Sequence, residues 1–190
     1  MAFTARSEDT RSAILAAARK RFAADGFERT TIRAVAADAG IDPSMVMRYY
    51  GSKDGLFSAA TDVQLHLPDL AGADRDHLGE ALIRHWVELW EGALSDQVMI
   101  VLLRSAITNE EAAQQLRTIF TGQVMQAVAH VIDDPAEAST RAGLVSSQML
   151  GLALTRYILQ LPPVAEMDQD TLIAGVAPTI QRYLTGSIAP

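Results

Sequence analysis

The sequence predicts an all-α fold, and three features carry the prediction. Apolar residues recur every three to four positions in almost every segment, no segment alternates apolar and polar residues as a half-buried strand does, and capping residues divide the chain into about nine helices.

The first helix is expected from about Thr10 to Asp25, with Ile14, Ala17, Ala18 and Phe22 on one face. Gly26 ends it, because glycine takes the left-handed conformation that closes a helix, and Phe27 supplies the usual hydrophobic contact after it. Thr31 N-caps a short second helix that stops at Gly40 and turns Ile32, Val35 and Ala36 inward. Asp42 caps a third, with Pro43 at its first position, and Gly51 ends it. Ser52 caps a fourth helix, expected over 52–66, which carries Leu56, Phe57 and Val63 until Leu67-Pro68 stops it.

Asp69 to Asp76 reads as a linker, followed by helices at about Arg75–Leu94, Gln97–Ile107, Glu110–Ile132, Pro135–Gln160 and Gln169–Thr185. Asp134, Pro135 and Glu137 make an N-cap, N1 and N3 set like that of a capping box. Pro178 is expected to kink the last helix, since it removes one backbone hydrogen bond. The organisation is a three-helix domain over 1–51 and a helical domain over 52–190, joined by the helix 52–66.

With 190 residues, 49% of them hydrophobic, the chain closes a real core. It has no cysteine, which excludes disulfide frameworks, zinc ribbons and thiol nucleophiles. The polar start, Met1 to Arg11, and the shortness of the longest apolar run, Val98 to Leu103, give the expectation of a cytoplasmic protein with no membrane partner. The net charge of −7 argues against a polyanion partner until it is divided along the chain. Residues 1–66 carry +1 and residues 67–190 carry −8, so a surface for nucleic acid has to lie in the first third.

That third contains a helix, a three-residue turn at Ala39-Gly40-Ile41 and a second short helix, all within Thr31–Tyr50, which is a helix-turn-helix. One α-helix fits the DNA major groove, where its N-terminal side chains reach base edges while the preceding helix crosses the backbone. Gly40 permits the turn, Ala36 and Ala39 permit close approach, and Arg33, Ser44, Arg48, Tyr49 and Lys53 are the outward donors that such an interface requires. The partner this implies is a double-stranded DNA operator.

The stretch Thr31-Ile32-Arg33-Ala34-Val35-Ala36-Ala37-Asp38-Ala39-Gly40-Ile41, followed by Tyr49-Tyr50-Gly51-Ser52-Lys53-Asp54-Gly55-Leu56-Phe57, resembles the tetracycline-repressor (TetR) regulators. The resemblance covers the first third in detail and the remainder in the number and length of its helices. It implies Thr31, Tyr49 and Lys53 as phosphate contacts, with Arg33, Ser44 and Arg48 nearer the bases. One departure is Met47, where many members carry a phosphate-binding Tyr, because a thioether donates no hydrogen bond. Met45 is suited instead to a thymine methyl group.

The histidines raise a competing reading, since His77-x-x-Glu80 and His85-x-x-Glu88 each place two metal-ligand types one turn apart. His77, Glu80, Arg84, Glu88 and Glu91 nevertheless form one polar stripe, and His66 and His130 have no matching neighbours, so no metal or cofactor is expected. No Gly-x-Ser-x-Gly elbow, phosphate loop or dinucleotide fingerprint occurs, so no enzymatic activity is expected. Trp86, Trp90, Met99, Phe120, Met125, Met149 and Tyr157 are candidates for the lining of an apolar cavity for a small-molecule effector. The uncharged run from Ala142 to Thr155 needs cover on more than one side, and Ile173, Val176, Ile180 and Leu184 form a matching stripe. Leu152, Val176 and Ile180 are accordingly expected at a homodimer interface. The function expected is a ligand-responsive DNA-binding regulator, a repressor released from a palindromic operator by a mostly apolar molecule. The alternative is a helical small-molecule binder or metal-dependent bundle enzyme that does not bind DNA.

Overall fold

The computed structural model describes residues 5–92 and 98–188, and every regular element among them is helical. The ends expected at Leu94 and Gln97 lie outside the described residues. The described residues form two compact units, one of residues up to 63 together with 98–116, the other of 64–92 and 117–188.

In the first unit, α1 (Ala5–Arg29) is covered by α2 (Ile32–Ala39), α4 (Lys53–Ala60) and α6 (Val98–Ser105), while α3 (Pro43–Tyr50) packs on α2 and α4. The regular part of α1 stops at Gly26, whose φ of 75° and ψ of 172° belong to a region that essentially only glycine occupies. The chain reverses there, so that Phe27 returns onto Phe22 and Phe57 with ring centroids 6.0 and 5.0 Å away. Phe22 and Phe57 meet edge to face at 5.0 Å, and with Ile14, Val35, Val46 and Leu56 they form a closed core. Burying a side chain of this size contributes about 2–3 kcal/mol, so the small unit depends heavily on these rings. Arg19 Nε donates to the Ala60 carbonyl at 2.9 Å and ties α1 to the end of α4.

In the second unit, α5 (Leu78–Glu91) lies along α11 (Gln169–Thr185), and the two touch more closely than side chains allow. A Cβ on Gly79 would stand 2.3 Å from the Ala177 carbonyl oxygen, and only hydrogen fits there. Gln181 seals the crossing, accepting from Gly79 N–H and donating to the Arg75 carbonyl, both at 2.8 Å. α8 (Met125–Ala129) and α9 (Pro135–Ala153) complete a core of Leu70, Leu78, Leu82, Val128, Ala142, Val145, Ile180 and Leu184. Asp134 caps α9 through Ala136 N–H at 2.9 Å, as its position predicts. Glu137 turns away from that cap and pairs with Arg141 at 2.7 Å. Arg141, 6% exposed, in turn donates to the Tyr183 and Gly186 carbonyls at the end of α11, where a cation is favoured.

The fourth helix, expected over 52–66, ends at Ala60. Thr61 closes it, with both its N–H and its Oγ1 bonding to the Phe57 carbonyl at 2.9 and 2.8 Å. The expected helix Glu110–Ile132 is α7 (Glu110–Ile119) running through a π-helical turn, Phe120–Val124, into α8. The expected helix Pro135–Gln160 is α9 continued by a second π-turn, Leu154–Ile158. A single turn, α10 (Pro162–Ala165), then precedes α11. Ile180, expected at a subunit interface, is fully buried within its own chain. A side chain with no accessible surface in the protomer cannot touch a partner, and the apolar stripe that suggested an interface at Ile180 faces α5 instead.

Candidate DNA-binding site

The helix-turn-helix is built by three caps. Thr31 Oγ1 accepts from Ala34 N–H at 3.1 Å, Asp42 Oδ1 from Ser44 N–H at 2.8 Å, and Ser52 Oγ from Gly55 N–H at 2.9 Å. Between them, Gly40 at φ 68° and Gly51 at φ 74° turn the chain. The Ser44 hydroxyl and the Ser44 N–H, both donating to it, hold the Asp42 carboxyl below the usual carboxylate range, so the cap is ionised at neutral pH. Arg21 grips Asp38 with two nitrogens, NH2 to Oδ1 at 2.8 Å, and fixes α2 against α1. That fork pulls the Asp38 carboxyl down and was not legible from spacing, because the two residues sit on separate helices.

On α3, Ser44, Met47 and Arg48 are exposed at steps of three and four, and Val46 on the opposite side is fully buried. Arg33 and Thr31 are exposed at the start of α2. Met45 is half-buried, so Met47, 45% exposed, is the apolar side chain that α3 presents. Tyr49 is half-buried, its hydroxyl 3.1 Å from that of Ser7 and its ring beneath the Arg11 guanidinium at 5.8 Å. Tyr50 is half-buried and donates to the Arg11 carbonyl at 3.4 Å. Lys53 is half-buried, its ammonium on the Glu28 carbonyl at 3.0 Å.

Residues 14–60 match the family described as bacterial regulatory proteins, tetR family, and residues 76–184 match the tetracyclin repressor-like C-terminal domain. A TetR-family regulator from Streptomyces coelicolor A3 is 32% identical, with 97% of this chain and 99% of that one covered and a TM-score of 0.70. The chain belongs to the TetR family. It is a ligand-responsive, DNA-binding transcriptional regulator. A transcriptional regulator from Rhodococcus sp. Rha1 is 25% identical over 95% of this chain and 99% of that one, at a TM-score of 0.64. The multidrug binding protein EbrR, complexed with imidazole, shares the fold at a TM-score of 0.71 and 18% identity, with 94% and 92% covered. No curated protein matches the sequence.

In this TetR-family chain the seven aromatic and methionine candidates fall in three places. Trp86, Trp90 and Tyr157 come together, with Trp90 and Tyr157 parallel at 4.9 Å and Trp86 at 5.7 Å from each. Phe120, Met125 and Met149 pack on the second unit's leucine-rich core. Met99 lies on α6 in the first unit. Beside the rings, the Glu91 carboxylate accepts from Tyr157 at 2.6 Å, Arg156 at 2.8 Å and Gln169 at 2.9 Å. Burial alone would raise that carboxyl, but these donors outweigh it and hold Glu91 below its ordinary value. Burial, then the Glu91 acceptor, raise the Tyr157 phenol.

His77 and His85 serve hydrogen bonds. His77 Nδ1 lies 2.7 Å from Asp74 Oδ2, Glu80 pairs with Arg84 at 2.7 Å, and His85 donates to the Leu65 carbonyl at 2.7 Å. Among the described residues, no group of three His, Asp or Glu is placed to hold a metal ion, and no helix is long and apolar enough to cross a membrane.

Proposed function

We propose that the protein is a homodimeric repressor whose two copies of α3 enter successive major grooves of a near-palindromic operator and leave when a small, mostly apolar molecule binds the second unit. The observation that carries this reading is the exposed face of α3. Ser44, Met47 and Arg48 project together from a helix held by a cap at its start and buried at Val46, a rigid arm with donors at its tip. Thr31, Tyr49 and Lys53 serve phosphate, and Arg33 and Arg48 serve bases. The protein acts in the cytoplasm and regulates without catalysis.

Dimerisation is supported by the outer face of α9 and α11. Gly143, Ser147, Leu150 and Gly151 on α9 and Gly175 on α11 are exposed in the single chain. A Cβ on Gly143, Gly151 or Gly175 would meet nothing within 4 Å. Glycine inside a helix costs roughly 0.5–1 kcal/mol relative to alanine, and the protomer's own packing does not require it at these places. Close approach of a second copy does. Leu152 and Val176 line one groove on this face together with Gly151 and Gly175, which supports the reading that they border the contact, although Leu152 is only 7% exposed.

The effector is proposed to bind beside Trp86, Trp90 and Tyr157, where apolar rings are bordered by the compensated Glu91–Arg156 pair. Structures of this fold hold small molecules, imidazole in EbrR and triclosan in SmeT. The reading is tested by sequencing the DNA fragments that the purified protein retains from a random pool. An inverted repeat emerging from the bound fraction supports it, and a bound fraction no different from the input rejects it.

A further inference from the structure

The stretch between α4 and α5 forms no regular element, yet at Leu65 both backbone polar groups are held by side chains. Leu65 N–H donates to Gln123 Oε1 at 2.7 Å, and the Leu65 carbonyl accepts from His85 Nε2 at 2.7 Å. A carbonyl only accepts, so this His85 nitrogen carries the proton. The Leu65 side chain is 7% exposed, and Leu70 further along joins the core of Leu78 and Leu82. His66, the next residue, has a φ of 47°, a left-handed conformation that persists in a non-glycine residue only where the surroundings hold it.

The two partners come from different elements. His85 stands within α5, and Gln123 stands in the π-turn Phe120–Val124, where Met125 N–H bonds back to the Phe120 carbonyl. The residue inserted by a π-turn changes the register of the helix, and such turns are frequent where a side chain has a special task. Here the task is visible: the turn carries the side chain that takes the Leu65 N–H. Had α4 continued through this segment, its backbone groups would have been satisfied internally. Instead the backbone at the start of the second unit, two residues after the first unit ends, is held by two side chains of that second unit.

We propose that His85 and Gln123 form a clamp on Leu65, at the start of the second unit, that holds the segment of chain following the DNA-binding unit, making both of them positioning residues for DNA binding although neither touches DNA. The proposal rests on the DNA-binding reading above. Two heads that must meet half-sites at a fixed spacing lose less freedom on docking when the segment behind each is already held. Opening the clamp therefore weakens operator binding, and an effector that displaces either side chain from Leu65 releases the heads.

The test follows hydrogen exchange at the Leu65 amide and affinity for the duplex selected by the wild-type chain. Gln123→Ala removes the acceptor, whereas Gln123→Glu keeps one. Gln123→Ala is expected to speed exchange at Leu65 and to weaken DNA binding, each about 2- to 12-fold, the weight of one hydrogen bond. Gln123→Glu leaves both near the wild-type values, and His85→Ala weakens DNA binding by a similar factor. Wild-type protein that selects no duplex overturns the DNA-binding reading itself. Faster exchange at Leu65 with unchanged affinity overturns the clamp alone, as does wild-type protection of Leu65 in Gln123→Ala. If Gln123→Ala does not fold, His85→Ala decides, and unchanged affinity in that variant overturns the proposal.

Discussion

Lys53 Nζ donates to the Glu28 carbonyl at 3.0 Å and stands 4.3 Å from the centre of the Phe27 ring. The charge is thereby held at the start of α4, beside the turn that leads out of α3, while an ammonium group has two further donors to offer. Lys53→Ala is expected to weaken binding to every duplex alike and to reduce the steepness of the salt dependence by about 0.9 in log–log slope, the contribution of one phosphate contact. Titrations of operator and unrelated DNA at several salt concentrations check this. A changed sequence preference would assign Lys53 to base recognition instead.

Arg33 and Arg48 are exposed and belong to the opposite case. Replacing either with Ala should cost about 1–3 kcal/mol on the preferred sequence and relax the choice of base at one position in each half-site. Repeating the fragment selection with each variant reads the effect. A consensus identical to that of the wild type would reduce the side chain to a backbone contact.

Gly151 separates a dimer from a monomer by the sign of one substitution. Nothing in the protomer lies within 4 Å of a Cβ at this residue. In a monomer Gly151→Ala stabilises the helix by roughly 0.5–1 kcal/mol, whereas at a tight interface the added methyl group loosens the pair. Light scattering and thermal melts over a range of protein concentrations are expected to show weakened association. An increase in melting temperature that does not depend on concentration would argue that α9 meets no second chain.

The Glu91–Arg156 pair makes a prediction about pH. The Glu91 carboxyl is depressed in the folded protein, so its stabilisation is fully present above the ordinary carboxylate value of about 4.3 and is lost as pH falls through the lower folded value. Glu91→Gln leaves Arg156, 9% exposed, without its counter-charge. The cost is about 1–3 kcal/mol at neutral pH, less than for a fully buried pair because the Glu91 side chain is still 21% exposed. Melting curves of wild type and variant should differ at pH 7 and converge below about pH 4. A difference that stays constant with pH would show that the charge of Glu91 is not what matters.

Most of the DNA-binding unit was legible because its signals are local. Thr31, Asp42 and Ser52 each make the cap that their positions suggest, and Gly26, Gly40 and Gly51 each take a positive φ. The last helix likewise runs from Gln169 to Thr185 as its caps indicate. The end of α4 was not legible, since Val63 prolongs the helical spacing while the groups that hold the chain at Leu65 stand on α5 and in a distant π-turn. π-turns carry no local signature at all. Ile180 misled for a different reason: an apolar stripe has the same spacing whether its own chain or a partner covers it, and here α5 covers it.

The central claim is that this chain reads duplex DNA through α3, and the most direct measurement is the affinity for a selected inverted-repeat duplex as a function of salt. The account predicts saturable binding by two protomers, with log affinity falling linearly against log salt by about 0.9 for each phosphate neutralised, and with Arg48→Ala losing most of the preference over random DNA. Binding that is absent at low salt, or that ignores salt and tolerates Arg48→Ala without loss of preference, would contradict it.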